Sequence, residues 1–325
     1  MNGTWRGGGL VMGIFLGMGW GVDAAPLSRR AKEEFSQRAE VLFKAGRFEE
    51  ARDQWIAALA GGPTRAEVRR WRPKVGRTYE AEGNYEKALT AFQEAYDADP
   101  KNVDRLVDLA RLYDAVEIDD QALRHYTLAH RRDRSRRDVT FALAKLHWEL
   151  GHLGEARKLA EVAVKAEPRD YSAQELLANI EESQGLLADA GRRWETVVSL
   201  NPSAERYMIL GRLWARQDAY EQAAIAFSQA EQMGDTGPAP TFERAVLAER
   251  KGDRKGATQL LEKATRQGPE YFPPDFWMVL MALEEGNTVS ARRALASLQA
   301  TDPGTTRWKT ILETAIAARL AGGTP

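Results

Sequence analysis

An alanine recurs along this chain at an almost constant interval. The eight positions are Ala51, Ala88, Ala122, Ala156, Ala190, Ala223, Ala257 and Ala291, and their spacings are 37, 34, 34, 34, 33, 34 and 34 residues. A period of about 34 residues is typical of repeat proteins, in which each unit buries its apolar face only against its neighbours. The pattern therefore predicts a stack of repeated units in place of a single globular core.

The residues around each alanine predict a pair of helices. Glycine stands five positions before it in six of the eight repeats, and glycine reaches a positive φ cheaply in a tight turn between helices. The residues four and seven positions after it lie on the same helical stripe as the alanine. A proline stands twelve positions after it in six repeats and is expected to end the second helix.

The second repeat shows the full pattern. It contains Trp71, Val75, Gly76 and Tyr79, followed by Gly83, Ala88, Phe92, Ala95 and Pro100. This order resembles the tetratricopeptide repeat, whose signature is tryptophan, leucine-glycine and tyrosine, then glycine, alanine, phenylalanine, alanine and proline. The resemblance extends over about eight units, from Ala31 to Pro303. It implies an all-α fold, a right-handed superhelical solenoid of antiparallel helix pairs.

The two ends of the chain differ from the repeats. Residues 1–24 are typical of a secretory signal peptide, with Arg6, an uncharged apolar run of about 16 residues and a small-residue cleavage site before Ala25. Because the run is shorter than the ~20 residues of a membrane-spanning helix, we expect the segment to be cleaved. The alternative is an uncleaved segment that anchors the chain in the inner membrane, facing the periplasm. The solenoid is predicted over 25–303 with a possible flexible joint at 233–240, and a capping helix and tail over 304–325.

Composition narrows the classes of function. Lysine and arginine number 46 and aspartate and glutamate 47, so the chain lacks the basic excess of a nucleic-acid binder. The absence of cysteine excludes disulfides, thiolate zinc sites and cysteine nucleophiles. The predicted signal peptide leads us to expect a periplasmic or secreted protein.

The resemblance also points to a binding surface. In this family the first helices line the concave groove, and the residue after the leucine-glycine pair points into it. The corresponding residues are Glu40, Arg77, Arg111, Lys145, Asn179, Arg212 and Val246. This mostly basic row predicts capture of an acidic or carboxylate-bearing partner segment. In the alternative interpretation, each basic residue pairs with an acidic residue one turn later in its own helix, and Arg77 would pair with Glu80.

No pattern in the sequence indicates catalysis, a cofactor or a metal. His125 and His130 are five residues apart, as are His147 and His152, whereas one helix brings two ligands together at a spacing of three or four. Glu181 is expected to lie on a solvent-exposed helix face.

The sequence therefore predicts a non-enzymatic protein-interaction scaffold in the bacterial cell envelope, binding a partner segment in the groove of the solenoid. The alternative is a glycan-binding or regulatory accessory subunit of a cell-wall or polysaccharide-export enzyme. Exposed groove aromatics, Trp148 and Phe141, would support that alternative. No nucleic acid is expected as a partner.

Overall fold

The computed structural model describes residues 27–234, 237–268, 271–299 and 302–321. These residues form 17 α-helices and no strand, which confirms the all-α prediction. The helices are α1 (Arg29–Lys44), α2 (Phe48–Ala58), α3 (Arg65–Ala81), α4 (Tyr85–Ala98), α5 (Val103–Ala115), α6 (Asp119–Arg132), α7 (Arg137–Glu149), α8 (Leu153–Ala166), α9 (Tyr171–Ser183), α10 (Leu187–Leu200), α11 (Ala204–Ala215), α12 (Tyr220–Gln232), α13 (Ala239–Arg250), α14 (Arg254–Gln267), α15 (Phe272–Glu284), α16 (Thr288–Ser297) and α17 (Pro303–Leu320). We call α1 to α15 with odd numbers first helices and those with even numbers second helices.

The chain divides into two compact units within α7, one up to Leu146 and one from His147 onward. In the first unit, α1 packs on α2, α3 on α4 and α5 on α6, and each of α2 and α4 also packs on the following first helix. In the second unit, α9 to α16 form four such pairs in chain order, and α8 packs on α9. The flexible joint at 233–240 stays a prediction, and residues 235 and 236 lie outside the described part of the chain.

The turns inside the repeats adopt the backbone conformation that the sequence predicts. All eight turn residues have a positive φ between 56° and 81°: Gly46, Gly83, Glu117, Gly151, Gly185, Asp218, Gly252 and Gly286. Glu117 and Asp218 occupy the left-handed region without being glycine, which is costly for a residue with a side chain. The turn position is therefore fixed by the repeat even where glycine is missing.

The regularly spaced alanines lie in the buried core of the repeats. All eight have no exposed surface. Four residues further on, the large side chains of Trp55, Phe92, Trp194 and Phe227 are also buried. The small and large positions share one stripe on the second helix, so close approach at the alanine and filling by the ring occur together.

The first helix supplies the matching gap for the ring. A Cβ added to Gly76 would lie 2.6 Å from Cε1 of Phe92, and one added to Gly211 would lie 2.5 Å from Cε1 of Phe227. Neither position has room for a methyl group, because real Cβ atoms do not approach carbon this closely. Glycine is thus required at these two positions, whereas the repeats of Trp55 and Trp194 carry alanine at the equivalent position, as Ala39 and Ala178.

The last helix, α17, packs on α15 and α16 and begins with a capping box at Asp302. Leu312 and Ile316 are buried against these helices, whereas Trp308, Ile311 and Leu320 remain about half exposed. The apolar side of this helix is therefore only partly covered. Residues 322–325 lie outside the described chain.

None of the described helices combines the length and the apolar character needed to cross a membrane. The predicted signal peptide, residues 1–24, lies outside the described residues.

The contact between Gly211 and Phe227 predicts the effect of one methyl group. Gly211→Ala forces apart a fully buried ring and a helix backbone, so we expect it to lower the free energy of unfolding by about 1–3 kcal/mol. The matched control is Gly154→Ala in α8, where nothing lies within 4 Å of the added Cβ. This control is expected to be neutral or stabilising by up to about 1 kcal/mol. Urea unfolding of both variants tests the difference, and equal stability would contradict it.

Candidate partner-binding face on the first helices

The basic residues predicted to bind a partner lie on successive first helices, and in the first unit two of them bridge α3 and α5. Nη2 of Arg77 donates to Oδ1 of Asp108 over 3.4 Å, and Nη2 of Arg111 donates to Oε2 of Glu80 over 3.0 Å. The structure therefore joins Arg77 to the neighbouring helix and not to Glu80 in its own helix. Lys145, on α7, is exposed.

The arginines in these pairs are far more exposed than the carboxylates beneath them. The side chains of Arg77 and Arg111 are 50% and 49% exposed, whereas those of Asp108 and Glu80 are 5% and 23% exposed. Each guanidinium carries five N–H groups, and the bond to the carboxylate uses only part of them. The remaining N–H groups of Arg77 and Arg111 are available at the surface. In each unit, we call the side that carries the predicted binding residues the first-helix face: Arg77, Arg111 and Lys145 in the first unit, and Asn179 and Arg212 in the second.

Asp108 is held by a second arginine. Nη1 of Arg105, one turn before it in α5, donates to Oδ2 of Asp108 over 2.9 Å, and the Arg105 side chain is only 16% exposed. Burying a carboxylate is costly unless it is paired and hydrogen-bonded. Arg105 therefore supplies the buried pair and Arg77 the outer one.

The second unit repeats this arrangement between α11 and α13. Nε of Arg212 donates to Oε1 of Glu243 over 2.8 Å, with side-chain exposures of 56% and 24%. Arg206, further back on α11, donates through Nε and Nη2 to Oε2 of Glu175 on α9, each over 3.2 Å. Arginine–carboxylate pairs thus connect neighbouring first helices in both units.

Sequence reasoning missed the carboxylates that complete these pairs. Asp108 follows Arg77 by 31 residues, Glu80 precedes Arg111 by 31 and Glu243 follows Arg212 by 31. A spacing of 31 residues is shorter than the repeat of about 34 residues by roughly one helical turn. This difference brings the two side chains to similar heights on adjacent first helices. Opposite charges at this spacing are the signal that identifies the pairs.

Trp148 and Asn179 lie in the second unit and are joined through Ser183. Nε1 of Trp148 donates to Oγ of Ser183 over 3.1 Å, and this hydroxyl donates to the backbone oxygen of Asn179 over 2.8 Å. Trp148 is half-buried, as is Phe141 in the first unit. Both rings are therefore partly covered, and neither is fully open to solvent.

Comparison with known families identifies the repeat. Family models described as tetratricopeptide repeat match residues 35–101 and, in two overlapping segments, residues 141–195 and 187–238. The chain belongs to the tetratricopeptide repeat family. A search of curated protein sequences finds no match to it.

Solved structures of tetratricopeptide repeat proteins share this fold. One, from Parabacteroides merdae, is 16% identical with a TM-score of 0.54, covering 74% of this chain and 94% of its own. YrrB, described as having an unusual peptide-binding site, is 19% identical with a TM-score of 0.52, covering 60% and 99%. The pilF protein of Pseudomonas aeruginosa is 20% identical with a TM-score of 0.51, covering 66% and 97%. At these identities the likeness concerns the fold alone.

One residue of this tetratricopeptide repeat protein is placed differently from the sequence prediction. Glu181 is buried instead of solvent-exposed, and Nε of Arg193 donates to both of its carboxylate oxygens over 2.8 Å. Arg193 also donates to Oε1 of Gln174 over 3.2 Å. Glu181 occupies the first-helix position that holds Tyr79 in the second repeat, so its place in the repeat indicated burial more reliably than its charge.

The spacing argument about the histidines is also corrected. Nδ1 of His147 and Nδ1 of His152 lie 3.3 Å apart, because the turn between α7 and α8 folds the two residues together. Burial, and secondarily the neighbouring His152, lower the pKa of His147. In the described part of this tetratricopeptide repeat chain, no group of three or more potential ligands is suitably placed to hold a metal ion.

The two arginines around Asp108 predict different losses of stability. Arg105→Ala removes the inner partner of a buried carboxylate and is expected to lower the free energy of unfolding by about 1–3 kcal/mol. Arg77→Ala removes a half-exposed partner and is expected to cost less than about 1 kcal/mol. Urea denaturation of both variants measures the difference. Equal losses would show that the inner and outer partners are not distinct.

Proposed function

We propose that this tetratricopeptide repeat protein is an exported, non-enzymatic scaffold of the bacterial cell envelope that holds a partner segment on its first-helix face. The observation that carries the proposal is the recurring half-exposed arginine above a more buried carboxylate, at Arg77, Arg111 and Arg212. The repeat fold supports a protein-interaction role, and the arginines of this face lie outside the buried core.

The carboxylates beneath the arginines favour binding by fixing each guanidinium before a partner arrives. Arginine otherwise loses considerable side-chain entropy when it is immobilised in an interface. Its remaining N–H groups can donate to carboxylates or backbone carbonyls of an extended segment. The carboxylates beneath the arginines repel an acidic partner. The affinity of such a partner therefore depends on placing its acids opposite the arginines and not on its net charge.

The proposed location follows from residues 1–24, which have the charge, apolar run and small-residue cleavage site of a signal peptide. Cleavage before Ala25 would release the repeats into the periplasm. An uncleaved leader would instead anchor the chain to the inner membrane, with the repeats facing the periplasm.

A glycan-binding role is the less favoured function. Sugars bind to open aromatic rings, whereas Trp148 is half-buried and its indole N–H is already bonded to Ser183. No described feature of the first-helix face favours a sugar over a peptide.

Removing charge from the first-helix face is expected to reduce partner capture. The fourfold variant changes Arg77, Arg111, Lys145 and Arg212 to Gln. The matched control changes four basic residues at or on second helices, each paired with an acid in its own helix: Arg47, Arg157, Lys158 and Arg192. Crosslinking in intact host cells, followed by affinity purification and quantitative mass spectrometry, measures capture. We expect at least a tenfold loss for the first variant and less than twofold for the control, and equal capture would contradict the proposed face.

The proposed export is tested by the mass of the mature chain. Fractionation of host cells, followed by intact-mass measurement, is expected to find a chain that begins at Ala25 in the periplasmic fraction. Full-length chain in the inner-membrane fraction would support the anchored alternative. Full-length chain in the cytosol would contradict both.

A further inference from the structure

A pocket in the second unit lies between α14, α15 and α16. Its volume is about 430 Å³, within the range of about 300–1,000 Å³ that is typical of ligand pockets. Two of the three helices that line it are second helices, so it is a separate place from the first-helix face. Its chemistry is set by one buried acid, Asp275.

Asp275 is 1% exposed and contributes to the pocket lining from the first turn of α15. Oγ1 of Thr265 donates to its Oδ1 over 3.1 Å. Oγ of Ser297 lies 3.2 Å from the same oxygen and 2.8 Å from the backbone oxygen of Ala294, and its single proton is shared between these two acceptors. Burial raises the pKa of this carboxyl, and the two hydroxyls oppose the rise. No described cation forms an ion pair with Asp275, although buried carboxylates are normally paired.

The two hydroxyls leave one carboxylate oxygen without a donor. Both hydroxyls lie against Oδ1, and within the described part of the chain Oδ2 accepts no hydrogen bond. A cation in the pocket would therefore gain a charge-assisted hydrogen bond and neutralise the buried charge at the same time.

The other lining residues limit the shape and charge of the ligand. Met278 and Met281 provide an adaptable apolar wall beside Asp275. Arg266 and Arg293 contribute to the lining from exposed positions together with the acids Glu262 and Glu285, so these four charges balance and Asp275 is the one excess charge of the pocket. Together these features favour one cationic group on an apolar stem.

We propose that the pocket binds a single ammonium or guanidinium group, which donates to Oδ2 of Asp275 while its apolar stem contacts Met278 and Met281. A lysine or arginine side chain of a peptide and a free alkylamine share this chemistry. The proposal is independent of the partner-binding role of the first-helix face.

Titration of the full chain, labelled with ¹³C at the methionine methyl groups, tests the pocket directly. The probes are n-pentylamine, the N-acetyl methylamides of lysine and arginine, and the uncharged N-acetyl methylamide of norleucine. We expect saturable shifts of the Met278 and Met281 signals with at least one cationic probe and none with norleucine. The buried Met208 on α11 is an internal control that should not move. Saturation by pentylamine indicates a free amine as a sufficient ligand, whereas saturation by the peptide mimics alone indicates a side chain in a peptide.

Two variants locate the cation. Asp275→Asn keeps an oxygen to accept from Thr265 and Ser297 but removes the charge, and it is expected to weaken binding at least tenfold. Glu262→Gln removes a carboxylate from an exposed position of the same pocket and should weaken binding less than threefold. The proposal is overturned if no probe saturates, if norleucine binds equally well, or if Glu262→Gln has the larger effect. The comparison of probes on the unaltered chain remains decisive if Asp275→Asn does not fold.

Discussion

The repeats depend on close packing between the first helix and the second, and in two repeats this packing sets a first-helix glycine against a large ring. Gly76 lies against Phe92 and Gly211 against Phe227, closer than any residue with a Cβ would allow. The alanine four residues before each ring removes bulk from the same stripe, so the two helices approach closely along their length. These positions are occupied by packing and are therefore not free to recognise a partner.

Ion pairs between neighbouring repeats lie on the first helices, outside this packed interface. Arg77, Arg111 and Arg212 each reach a carboxylate 31 residues away, and each arginine is the more exposed member of its pair. Exposed ion pairs contribute little to stability, so removing one arginine costs the fold little. The same pairs fix the guanidinium groups in place, which suits them to contacts with a partner.

Features that depend on a few neighbouring residues were predictable from sequence. The turn before Gly83 and the buried stripe of Ala88 and Phe92 follow from local conformational preference and helical period, and the structure has both. Pairing between repeats was not predictable from one helix alone, since Arg77 has the acid Glu80 one turn on and a second acid, Asp108, on the next first helix. Because neighbouring first helices are offset along their axes, Arg77 lies beside Asp108 and donates to it.

Burial of charge and contacts across turns were missed for related reasons. The charge of Glu181 suggested solvent, but its repeat position is internal and Arg193 and Gln174 complete a buried network. His147 and His152 are too far apart in sequence to meet on one helix, yet the intervening turn brings them together. In each case the position within the repeat predicted the surroundings better than the residue type did.

In the proposed arrangement, the first helices contact the partner while the second helices hold the repeats together. Hydroxyl-radical footprinting of the chain, alone and in complex with the partner captured from cells, tests this most directly. We expect protection of side chains on α3, α5 and α11 and unchanged reactivity of Val162 and Ile225, which are exposed on the second helices α8 and α12. Protection confined to Val162, Ile225 and their second-helix neighbours would contradict it.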